Sequence, residues 1–566
     1  MQNKLNNKFP KLSIILILSL FFNCLGAERN GFDSSGVDTS SPNFINTLVG
    51  VFLASLDRTP PSLSSANIKS NFTLETGVLI GTTSDNVAVS SVQVQVNSEG
   101  YNTATGTTSF RIVLPTTTKW LGGGNTVYIK VIDTSGNENV TTYTNVKKGE
   151  NKDVNGDGYP DLVVSAPNYN VNQGRVYVFH GSSSGINTSD SSSANTILDS
   201  SLSTANFGSS LATGDINGDG FADLAVCSSS ALKIDLYLGS SSGLSNSAVW
   251  SKVGSDEFCK WDGITISDFN RDGFEDIAIS KVTNNPDEIE IYKGNSTGTV
   301  ENTPSHTIID STGATTNTGL ILRSIDLNND GYPDLIATDS SGTNTTYIYL
   351  SSGSSGITTS FTGSYNQAIG SNGSPIIGFG DLNGDSKIDL IVGDTSSSGT
   401  CNIFLNNGSS TMPFNSSSSF TISGKVGETS KFCSTISSQD INNDGVDDLV
   451  IGAPDYNLNG KIYIFNGRTT WSSLTAETDS SFSITGEYSS YKFGYKVSII
   501  DINGDNNPDL YLGEPGYIHS GNAAGKIYGY YNDGSGYSTG TYNSYSNVII
   551  GDTSTSGGSF GSYLLR

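Results

Sequence analysis

A nine-residue segment recurs seven times along the chain and constrains the fold more than any other feature. The first copy runs from Asp153 to Asp161 and has Asp, Asn, Asp and Asp at positions 1, 3, 5 and 9. The seven copies begin at Asp153, Asp215, Asp268, Asp326, Asp381, Asp440 and Asp501. A near-constant spacing of roughly 60 residues indicates one structural unit that is used repeatedly.

All seven copies keep the four oxygen-bearing side chains, and we number the resulting loops 1 to 7. Carboxylate and amide oxygens are the ligands that a hard cation such as Ca²⁺ prefers. The pattern therefore predicts up to seven Ca²⁺ sites, with these ligands: Asp153, Asn155, Asp157 and Asp161; Asp215, Asn217, Asp219 and Asp223; Asp268, Asn270, Asp272 and Asp276; Asp326, Asn328, Asp330 and Asp334; Asp381, Asn383, Asp385 and Asp389; Asp440, Asn442, Asp444 and Asp448; Asp501, Asn503, Asp505 and Asp509. The alternative is a set of Asp/Asn turns that close hairpins without a metal.

Position 6 of the loop indicates how tightly the chain turns there. It is glycine in five loops, Ser386 in loop 5 and Asn506 in loop 7. A tight turn favours a positive φ, which glycine adopts freely and asparagine adopts more easily than serine. Three carboxylates, an amide oxygen and the carbonyl of position 7 are expected to converge on the cation. Loop 5 should therefore be the weakest site.

The chain is strongly acidic, with 29 basic residues, 54 acidic residues and a net charge of −25. The loops hold 21 of the acidic residues, so seven bound Ca²⁺ ions would leave a net charge of −11. This balance excludes the basic footprint of a nucleic-acid-binding protein. The 566 residues exceed a single ordinary core, so several domains or a repeat array are expected.

Residues 1–58 predict export and a tether. Residues 1–23 combine a lysine-containing start with an apolar core, Leu12 to Phe22, which is too short for a membrane anchor and is typical of a signal peptide. Cys24 follows and resembles the lipidated cysteine of a bacterial lipoprotein, although Leu20 to Asn23 departs from the common pattern. The alternative is ordinary cleavage near Gly26. Residues 24–58 are expected to be a lipidated N-terminus and a flexible tether, which places the protein on the outer membrane or cell surface.

Residues 59–147 show the period-two alternation of half-buried antiparallel strands, with Gly, Asn and Asp between the runs. The pattern predicts strands at Val78–Ile80, Val92–Val96, Phe110–Leu114, Val127–Ile132 and Val140–Val146. Two segments, Asp85 to Val89 and Val131 to Asn137, resemble bacterial immunoglobulin-like modules. We expect a small β-sandwich that acts as a spacer.

Residues 148–566 form the expected repeat array, with about four strands in each unit. Four strands repeated seven times predict an all-β fold, a seven-bladed β-propeller that follows the sandwich. The last residues, Phe560 to Leu565, match an entering strand with no loop behind it. We expect this strand to complete the first blade and close the ring, which would leave no open edge.

Short motifs around the loops make a family resemblance specific. Phe207-Gly208 and Phe493-Gly494 precede loops 2 and 7, and Ser165-Ala166-Pro167, Gly452-Ala453-Pro454 and Gly513-Glu514-Pro515 follow loops 1, 6 and 7. These motifs resemble the FG-GAP repeat of the integrin α-subunit propeller and its bacterial relatives, over about three quarters of the chain. Repeats 2 to 5 depart from the Gly-Ala-Pro part, and Cys259 and Cys433 replace the glycine after phenylalanine.

The resemblance implies metal loops on one face of the ring and a ligand on the other. Carried onto this chain, it gives six candidate ligand-binding residues in exposed connections: Asn168, Tyr169, Asp455, Tyr456, Tyr517 and His519. The expected function is a surface-attached, calcium-stabilised binding or adhesion protein for a protein or glycan ligand, and not an enzyme. The alternatives are a polysaccharide-acting enzyme with a lyase-like propeller and a purely structural envelope protein.

Four cysteines lie within the repeat array. Cys227 and Cys259 are separated by the same interval of sequence as Cys401 and Cys433. In an exported protein these pairs can form disulfides, but sequence alone leaves the connectivity open, and four buried thiols are the alternative.

Overall fold

The computed structural model describes residues 57–565, except 71–72, 75, 77, 115–119, 121–123, 255–256, 260–261, 283–286, 310–320, 340–343, 361–364, 371–374, 397, 428, 535–536, 538–545 and 554–557. The described chain is predominantly β-structure, as predicted, and divides into two compact units, residues 1–59 and residues 60–566. In the first unit, the Thr59 amide donates to the Asp57 carboxylate at 3.0 Å. The predicted signal peptide, Cys24 and the tether to residue 56 lie outside the described residues. No helix within the described part of the chain is long and apolar enough to cross a membrane.

Two sheets open the second unit and enclose one apolar core. The first sheet contains, in spatial order, Ser62–Ala66, Val78–Ser84 and Ser109–Val113. The second contains Thr73–Leu74, Glu138–Lys148, Asn125–Asp133, Val89–Val96 and Asn102–Thr103. Alternate residues of both sheets, such as Leu79, Phe110, Val94 and Ile129, are buried between them. This is a β-sandwich, and its five alternating strands lie where the sequence predicts them.

Seven further sheets follow, each built around four antiparallel strands, and we call them blades 1 to 7. First strands are Tyr563–Leu564, Phe207–Gly214, Ile264–Ser267, Leu322–Ile325, Pro375–Gly380, Thr435–Gln439 and Val497–Ile500. Second strands are Leu162–Ala166, Asp223–Ser228, Asp276–Val282, Asp334–Thr338, Asp389–Asp394, Asp448–Ala453 and Asp509–Glu514. Third strands are Arg175–Phe179, Lys233–Tyr237, Glu288–Tyr292, Thr345–Tyr349, Thr400–Phe404, Lys461–Phe465 and Lys526–Tyr530. Fourth strands are Thr196–Asp199, Trp250–Val253, His306–Ile309, Gln367–Gly370, Phe420–Ser423, Phe482–Thr485 and Asn547–Ile550.

First strands of neighbouring blades contact one another and line a central cavity of about 390 Å³. Second and third strands are almost completely buried, because each blade packs its two faces against both neighbours. Successive four-stranded sheets around a central space are the arrangement of a β-propeller.

The C-terminal strand belongs to the first blade. Tyr563–Leu564 pairs with Ser165 and Val164, and the Leu565 amide donates to the Val163 carbonyl at 3.1 Å. The hydroxyl of Ser498 in blade 7 donates to the Leu565 carbonyl at 2.7 Å. The predicted closure of the ring by the last strand is therefore observed.

A few short elements decorate the blades. Glu257–Phe258 pairs with the second strand of blade 3, and Leu474–Thr475 lies parallel to the fourth strand of blade 5. Ile518–His519 and Asn522–Ala523 form a hairpin in blade 7. The described helices are one turn long: α-helical Tyr169–Asn172 and Ala476–Asp479, and 3₁₀-helical Ser191–Ser193, Gly353–Ser355 and Tyr456–Leu458.

Both cysteine pairs form disulfides between neighbouring blades. Cys227, on the second strand of blade 2, bonds Cys259 at the entrance of blade 3, with Cα atoms 6.0 Å apart. Cys401, on the third strand of blade 5, bonds Cys433 at the entrance of blade 6, with Cα atoms 5.6 Å apart. The connectivity that the sequence leaves open is thus Cys227–Cys259 and Cys401–Cys433.

Candidate metal centre

The seven aspartate loops lie on one face of the ring. Loops 2 to 7 each join the first strand of a blade to the second, and loop 1 enters from the linker at residues 149–152. Because the joined strands are antiparallel, the second-to-third-strand and blade-to-blade connections lie on the other face. We call these two surfaces the loop face and the opposite face.

The aspartate at position 1 holds the turn of its loop. In all seven loops its Oδ1 accepts from the backbone amide of position 5 at 3.0–3.2 Å, and its Oδ2 accepts from the amide of position 6 at 2.7–3.0 Å. The loop is thereby folded around one carboxylate, as an Asx-type turn that is continued for a second residue.

The aspartate at position 9 ties the loop to the third strand of the same blade. Its Oδ1 accepts, at 2.8–3.2 Å, from a backbone amide just after that strand in every blade: Gly181, Gly239, Gly294, Ser351, Asn406, Gly467 and Asn532. In loops 1, 2, 4, 5 and 6 its Oδ2 also accepts from the amide of position 2. Position 9 therefore has a structural role that spacing alone did not indicate.

Positions 3 and 5 close the tip of the loop. The asparagine Oδ1 at position 3 accepts from the amide of position 5 at 2.8–3.1 Å in every loop. The aspartate Oδ1 at position 5 accepts from the amide of position 7 at 2.8–3.1 Å, again in every loop. In loops 1, 2, 4 and 7 the two side chains also contact each other, Nδ2 to Oδ2, at 2.8–3.1 Å.

Two positions of every loop have left-handed backbone. Position 6 has φ between +88° and +97° in the five glycine loops, +63° at Ser386 and +64° at Asn506, which confirms the predicted positive φ. Position 4 was not predicted, yet its φ is positive throughout: Gly156, Gly218, Arg271, Asn329, Gly384, Asn443 and Gly504. Arg271 and Ser386 are the residues at these positions that are neither glycine nor asparagine, and a left-handed backbone strains them. The backbones of loops 3 and 5 are therefore more strained than those of the other loops.

Burial makes the loops electrostatically unfavourable without a counter-charge. Burial raises the pKa of the position-9 carboxyls to about 8 at Asp223, Asp276, Asp334 and Asp389, about 7 at Asp448 and about 9 at Asp509. It also raises the pKa of Asp153 and Asp501 to about 7. Neighbouring carboxylates of the same loop add to each shift. A bound cation would offset both burial and repulsion.

The ligand atoms of the loops fit a hard cation, but the distances between the carboxylate oxygens within each loop do not yet match a bound ion. All four side chains offer oxygen, and the buried Oδ2 of Asp509 has no hydrogen-bond partner. In these loops, all of which are described, the carboxylate oxygens of positions 1, 5 and 9 do not come within 4.8 Å of one another. The predicted convergence of three carboxylates on one point is therefore not formed in this structure.

Three pairs of neighbouring loops are linked through position 8. In loops 2, 3 and 6 its amide donates to the position-1 carbonyl of the preceding loop, from Ala222 to Asp153 at 2.8 Å, from Glu275 to Asp215 at 3.1 Å and from Asp447 to Asp381 at 3.0 Å. In loops 3 and 6 this residue is acidic, and its carboxylate accepts from the position-1 amide as well: Glu275 from Asp215 at 2.6 Å, and Asp447 from Asp381 at 2.7 Å. These carboxylates join blade 2 to blade 3 and blade 5 to blade 6, the pairs that the disulfides also join.

The sandwich packs on the loop face rather than standing apart from it. Arg111 Nε donates to the Gly156 carbonyl of loop 1 at 3.0 Å, and Asn67 Nδ2 donates to the Gly158 carbonyl at 3.1 Å. Lys69 Nζ donates to Asn507 Oδ1 of loop 7 at 3.2 Å. The sandwich and blades belong to one compact unit, so the expected role of a simple spacer is too limited.

A buried ion pair fixes the linker between the sandwich and the ring. Lys147, at the end of the last sandwich strand, donates from Nζ to Asp447 Oδ1 at 2.7 Å, and both side chains are buried. Burial raises the pKa of Glu275, the other acidic position-8 residue, to about 7, and the positive charge of Lys148 opposes this shift. The end of the last sandwich strand thus lies near both acidic position-8 residues.

The six candidate ligand-binding residues lie on the opposite face, but two are not exposed. Tyr169 and Tyr456 are only 8% and 7% exposed. Each ring lies over the cation that begins the third strand of its blade: Arg175 is 4.0 Å from the Tyr169 centroid, and Lys461 is 4.8 Å from that of Tyr456. The expectation that these tyrosines are exposed contact residues is wrong, because their rings are packed on charged side chains.

The other four candidates are at least partly exposed. Tyr517 repeats the packing in blade 7, with Lys526 Nζ 3.6 Å from its ring centroid, and His519 lies beside it with ring centroids 6.2 Å apart. Asp455 pairs with Lys431 at 3.1 Å, and Asn168 donates to the Ser559 hydroxyl at 3.3 Å. Their role in ligand binding stays a prediction.

Comparison with known proteins supports the repeat assignment. The FG-GAP-like repeat profile matches residues 153–226, 326–392, 381–451 and 440–512. Phosphatidylinositol-glycan-specific phospholipase D of Rattus norvegicus is 34% identical over 146 residues, which cover 23% of this chain and 17% of that protein. Integrin alpha-4 of Xenopus laevis is 32% identical over 148 residues, which cover 24% of this chain and 13% of that protein. The chain thus spans less than a fifth of either relative.

Among solved structures, an Agrocybe aegerita lectin is similar with a TM-score of 0.43 and 14% identity, covering 72% of this chain and 95% of the lectin chain. A likeness at this level carries no functional argument.

Proposed function

The chain is an FG-GAP repeat protein, and from that premise we propose that it is a calcium-stabilised binding protein attached to a membrane surface. In this proposal the seven loops bind Ca²⁺, Cys24 carries the lipid anchor, and a partner binds the opposite face of the ring. The observation that carries it is the sevenfold repetition of one hydrogen-bonded loop with four oxygen-bearing side chains.

Calcium is proposed because its coordination tolerates these loops. Ca²⁺ takes six to eight oxygen ligands in flexible geometry. Positions 1 and 9 are already oriented by backbone amides, whereas the position-5 carboxylate is held only at the tip of the loop. Reorientation of the carboxylates would form a site, and the electrostatic relief of the buried carboxylates favours that change.

The anchor follows from the position of Cys24 after the apolar core. Acyl chains on this cysteine would hold the protein on a membrane without a spanning helix. Metabolic labelling with an alkyne-bearing fatty acid should label the wild-type protein and not the Cys24→Ser variant. Labelling of neither protein would support ordinary signal cleavage.

Isothermal titration of the purified protein, expressed without residues 1–23, tests calcium binding with a matched pair of variants. Asp157→Ala removes one loop ligand, and Glu301→Ala removes one acidic side chain from an exposed residue outside the loops. We expect Asp157→Ala to lose one binding equivalent and Glu301→Ala to lose none. Equal titrations for both variants would contradict a role for loop 1.

An enzyme is the second candidate, because several relatives are named as a phospholipase D. We propose that this chain is a binding protein instead, since its three histidines, His180, His306 and His519, lie in blades 1, 3 and 7. Incubation of the calcium-loaded protein with acidic polysaccharides and with a glycosylated phosphatidylinositol tests the alternative. Product formation that a chelator abolishes would favour the enzyme.

A further inference from the structure

We propose that an arc of exposed apolar side chains on the opposite face is the docking surface for a partner protein with an apolar, uncharged contact patch. This inference rests on the proposed binding function and names its surface and partner class. The apolar arc consists of six residues on connections of blades 5, 6, 7 and 1: Val426, Leu458, Tyr488, Ile518, Val171 and Leu202.

The six residues follow one another around the ring. Val426 lies between blades 5 and 6, Leu458 on blade 6, and Tyr488 between blades 6 and 7. Ile518 lies on blade 7, Val171 on blade 1 and Leu202 between blades 1 and 2. Their exposed fractions are 87, 66, 49, 49, 70 and 47% in that order. One exposed apolar residue is ordinary, but six on the connections of neighbouring blades on one face are not.

Three of these side chains are presented by the same device. In blades 1, 6 and 7 a tyrosine follows the second strand, and its ring packs on the cation of the third strand, as at Tyr169, Tyr456 and Tyr517. With the ring turned inward, the next residues form the outward tip of the connection. These tips are Val171, Leu458 and Ile518.

Two of the tips are strained as well as exposed. Val171 has φ +61° between Asn170 at +48° and Asn172 at +66°, and Leu458 has φ +67° after Asn457 at +46°. A left-handed conformation is unfavourable for any L-residue and most of all for a β-branched one. Asparagine or glycine at these tips would relieve the backbone strain and would remove the apolar side chain that is exposed to water. Folding therefore does not account for Val171 and Leu458, and strain of this kind is a guide to functional sites.

Aromatic rings continue the surface between blades 6 and 7. Tyr488 and Tyr491 have ring centroids 5.5 Å apart, and Tyr491 and Tyr517 have centroids 5.6 Å apart. Tyr495 nearby is 37% exposed. Rigid tyrosines around aliphatic tips are typical of protein interface centres.

The charges near the arc indicate what kind of partner fits. Arg175 pairs with Asp199 at 2.5 Å, Lys461 with Glu477 at 3.1 Å and Lys431 with Asp455 at 3.1 Å. These basic groups are therefore neutralised locally on a chain whose net charge is −25. That net charge repels a polyanionic glycan or an anionic membrane at long range. An apolar protein patch would bury the tips without leaving charges unpaired.

A random-peptide phage library, selected on the calcium-loaded protein, tests the proposal. The test variant combines Val171→Asn, Leu458→Asn and Ile518→Thr, and the control is Met412→Ser, which removes an exposed apolar side chain (56% exposed) from the loop-face connection of blade 5. We expect enriched peptides to be rich in aliphatic and aromatic residues. They should bind wild type and control alike, bind the triple variant at least tenfold more weakly, and change little in affinity between low and high salt.

The triple variant should melt at the same temperature as wild type or higher, because it relieves strain and buries nothing new. Peptides that bind the triple variant as tightly as wild type would overturn the role of the apolar arc but would leave the proposed binding function of the propeller standing. Failure to enrich any peptide, or enrichment of highly charged peptides only, would also overturn it. Binding of phosphatidylcholine vesicles that the triple variant loses would overturn the protein partner and reassign the arc to a membrane. Failure of the proposed calcium-stabilised function is seen separately, because the wild-type protein would then bind no Ca²⁺ in the isothermal titration.

Discussion

Five of the seven interfaces between neighbouring blades fall into two kinds. Between blades 1 and 2, 6 and 7, and 7 and 1, a Phe-Gly pair enters the next blade, and the phenylalanine amide donates to the preceding blade at 3.2 Å. Between blades 2 and 3, and 5 and 6, cysteine replaces that glycine and a disulfide crosses the interface. We call these Phe-Gly interfaces and stapled interfaces.

The comparison shows that one narrow gap can be closed by packing or by a covalent bond. Gly208 has φ +85°, and a Cβ built on it would lie 2.7 Å from the Ser165 Cβ, so a larger residue would collide. Cys259 and Cys433 hold the same left-handed backbone, with φ +49° and +69°. At these two positions the neighbouring blades also approach closely, and the cysteine side chain forms a disulfide across the interface.

The stapled interfaces are also the ones with an acidic residue at position 8. Glu275 and Asp447 link neighbouring loops on the loop face, while the disulfides link the same blades near the opposite face. Each stapled interface is thus fixed at both ends. The Phe-Gly interfaces depend on burial and backbone hydrogen bonds, so the two kinds should respond differently to substitution.

The largest effect is expected from removing residues 560–566, which breaks the Phe-Gly interface between blades 7 and 1. Phe560, Leu564 and Leu565 are 0, 0 and 4% exposed, and each contributes about 2 kcal/mol through burial. The total loss, about 6 kcal/mol, approaches the stability of a typical domain. Urea unfolding followed by tryptophan fluorescence measures it. Removal of Arg566 alone is the control, and an unchanged midpoint for the longer truncation would contradict closure.

A loss of about 3 kcal/mol is expected for Asp447→Asn at the stapled interface between blades 5 and 6. Lys147 is buried beside it, 8% exposed, and would lose the partner that holds its charge. The double variant Lys147→Met/Asp447→Asn should recover part of the loss, because no buried charge remains unpaired. Thermal melts of the four proteins in the cycle give the coupling, and strict additivity would argue against the pair.

Conversion of a stapled interface into a Phe-Gly interface should lower stability by about 3 kcal/mol, the usual contribution of a disulfide. Cys227→Ser/Cys259→Gly reproduces the Ser165–Gly208 pair of blades 1 and 2, where the serine hydroxyl donates to the glycine carbonyl at 2.7 Å. Cys401 lies on the third strand, at the position that Val176 has in blade 1, so Cys401→Val/Cys433→Gly reproduces the Val176–Gly208 contact instead. The two disulfides close chain segments of equal length, so equal losses in chemical denaturation are expected. No loss in either variant would show that packing alone closes the gap.

The smallest effect concerns loop 5, which meets loop 6 at a stapled interface. Ser386→Gly should raise stability by about 0.5 kcal/mol, because relief of its positive φ slightly exceeds the added entropy of the unfolded chain. Asn506→Gly in loop 7 should change stability less, since asparagine tolerates this conformation. Differential scanning calorimetry resolves the ranking, and a larger gain for Asn506→Gly would contradict it.

Much of this architecture could be predicted from sequence, because repetition amplifies a weak local signal. The seven loops, the five alternating sandwich strands and the closing role of Phe560 to Leu565 follow from spacing and periodicity. Polar strands such as Ser62–Ala66 were missed, since their sequence has no alternation. Burial of Tyr169 and Tyr456 was missed because it depends on cations several residues later, Arg175 and Lys461, whose position only the fold provides.

The loop chemistry divides in the same way. The ligand types are visible in sequence, and so is the positive φ of position 6. The left-handed backbone at position 4 was not predicted, because only four loops have glycine there. The other three have Arg271, Asn329 and Asn443, so the sequence provides no consistent signal for a positive φ. The linkage of loops through Glu275 and Asp447 joins residues 60 and 66 positions apart, and it required the ring to be closed first.

Metal analysis of the folded protein tests the central claim most directly. Inductively coupled plasma mass spectrometry after gel filtration should find several calcium ions per chain, up to the seven that the loops allow, and EDTA should lower the melting temperature by many degrees in a way that added Ca²⁺ reverses. Calcium-free protein whose melting temperature is indifferent to EDTA would contradict the account.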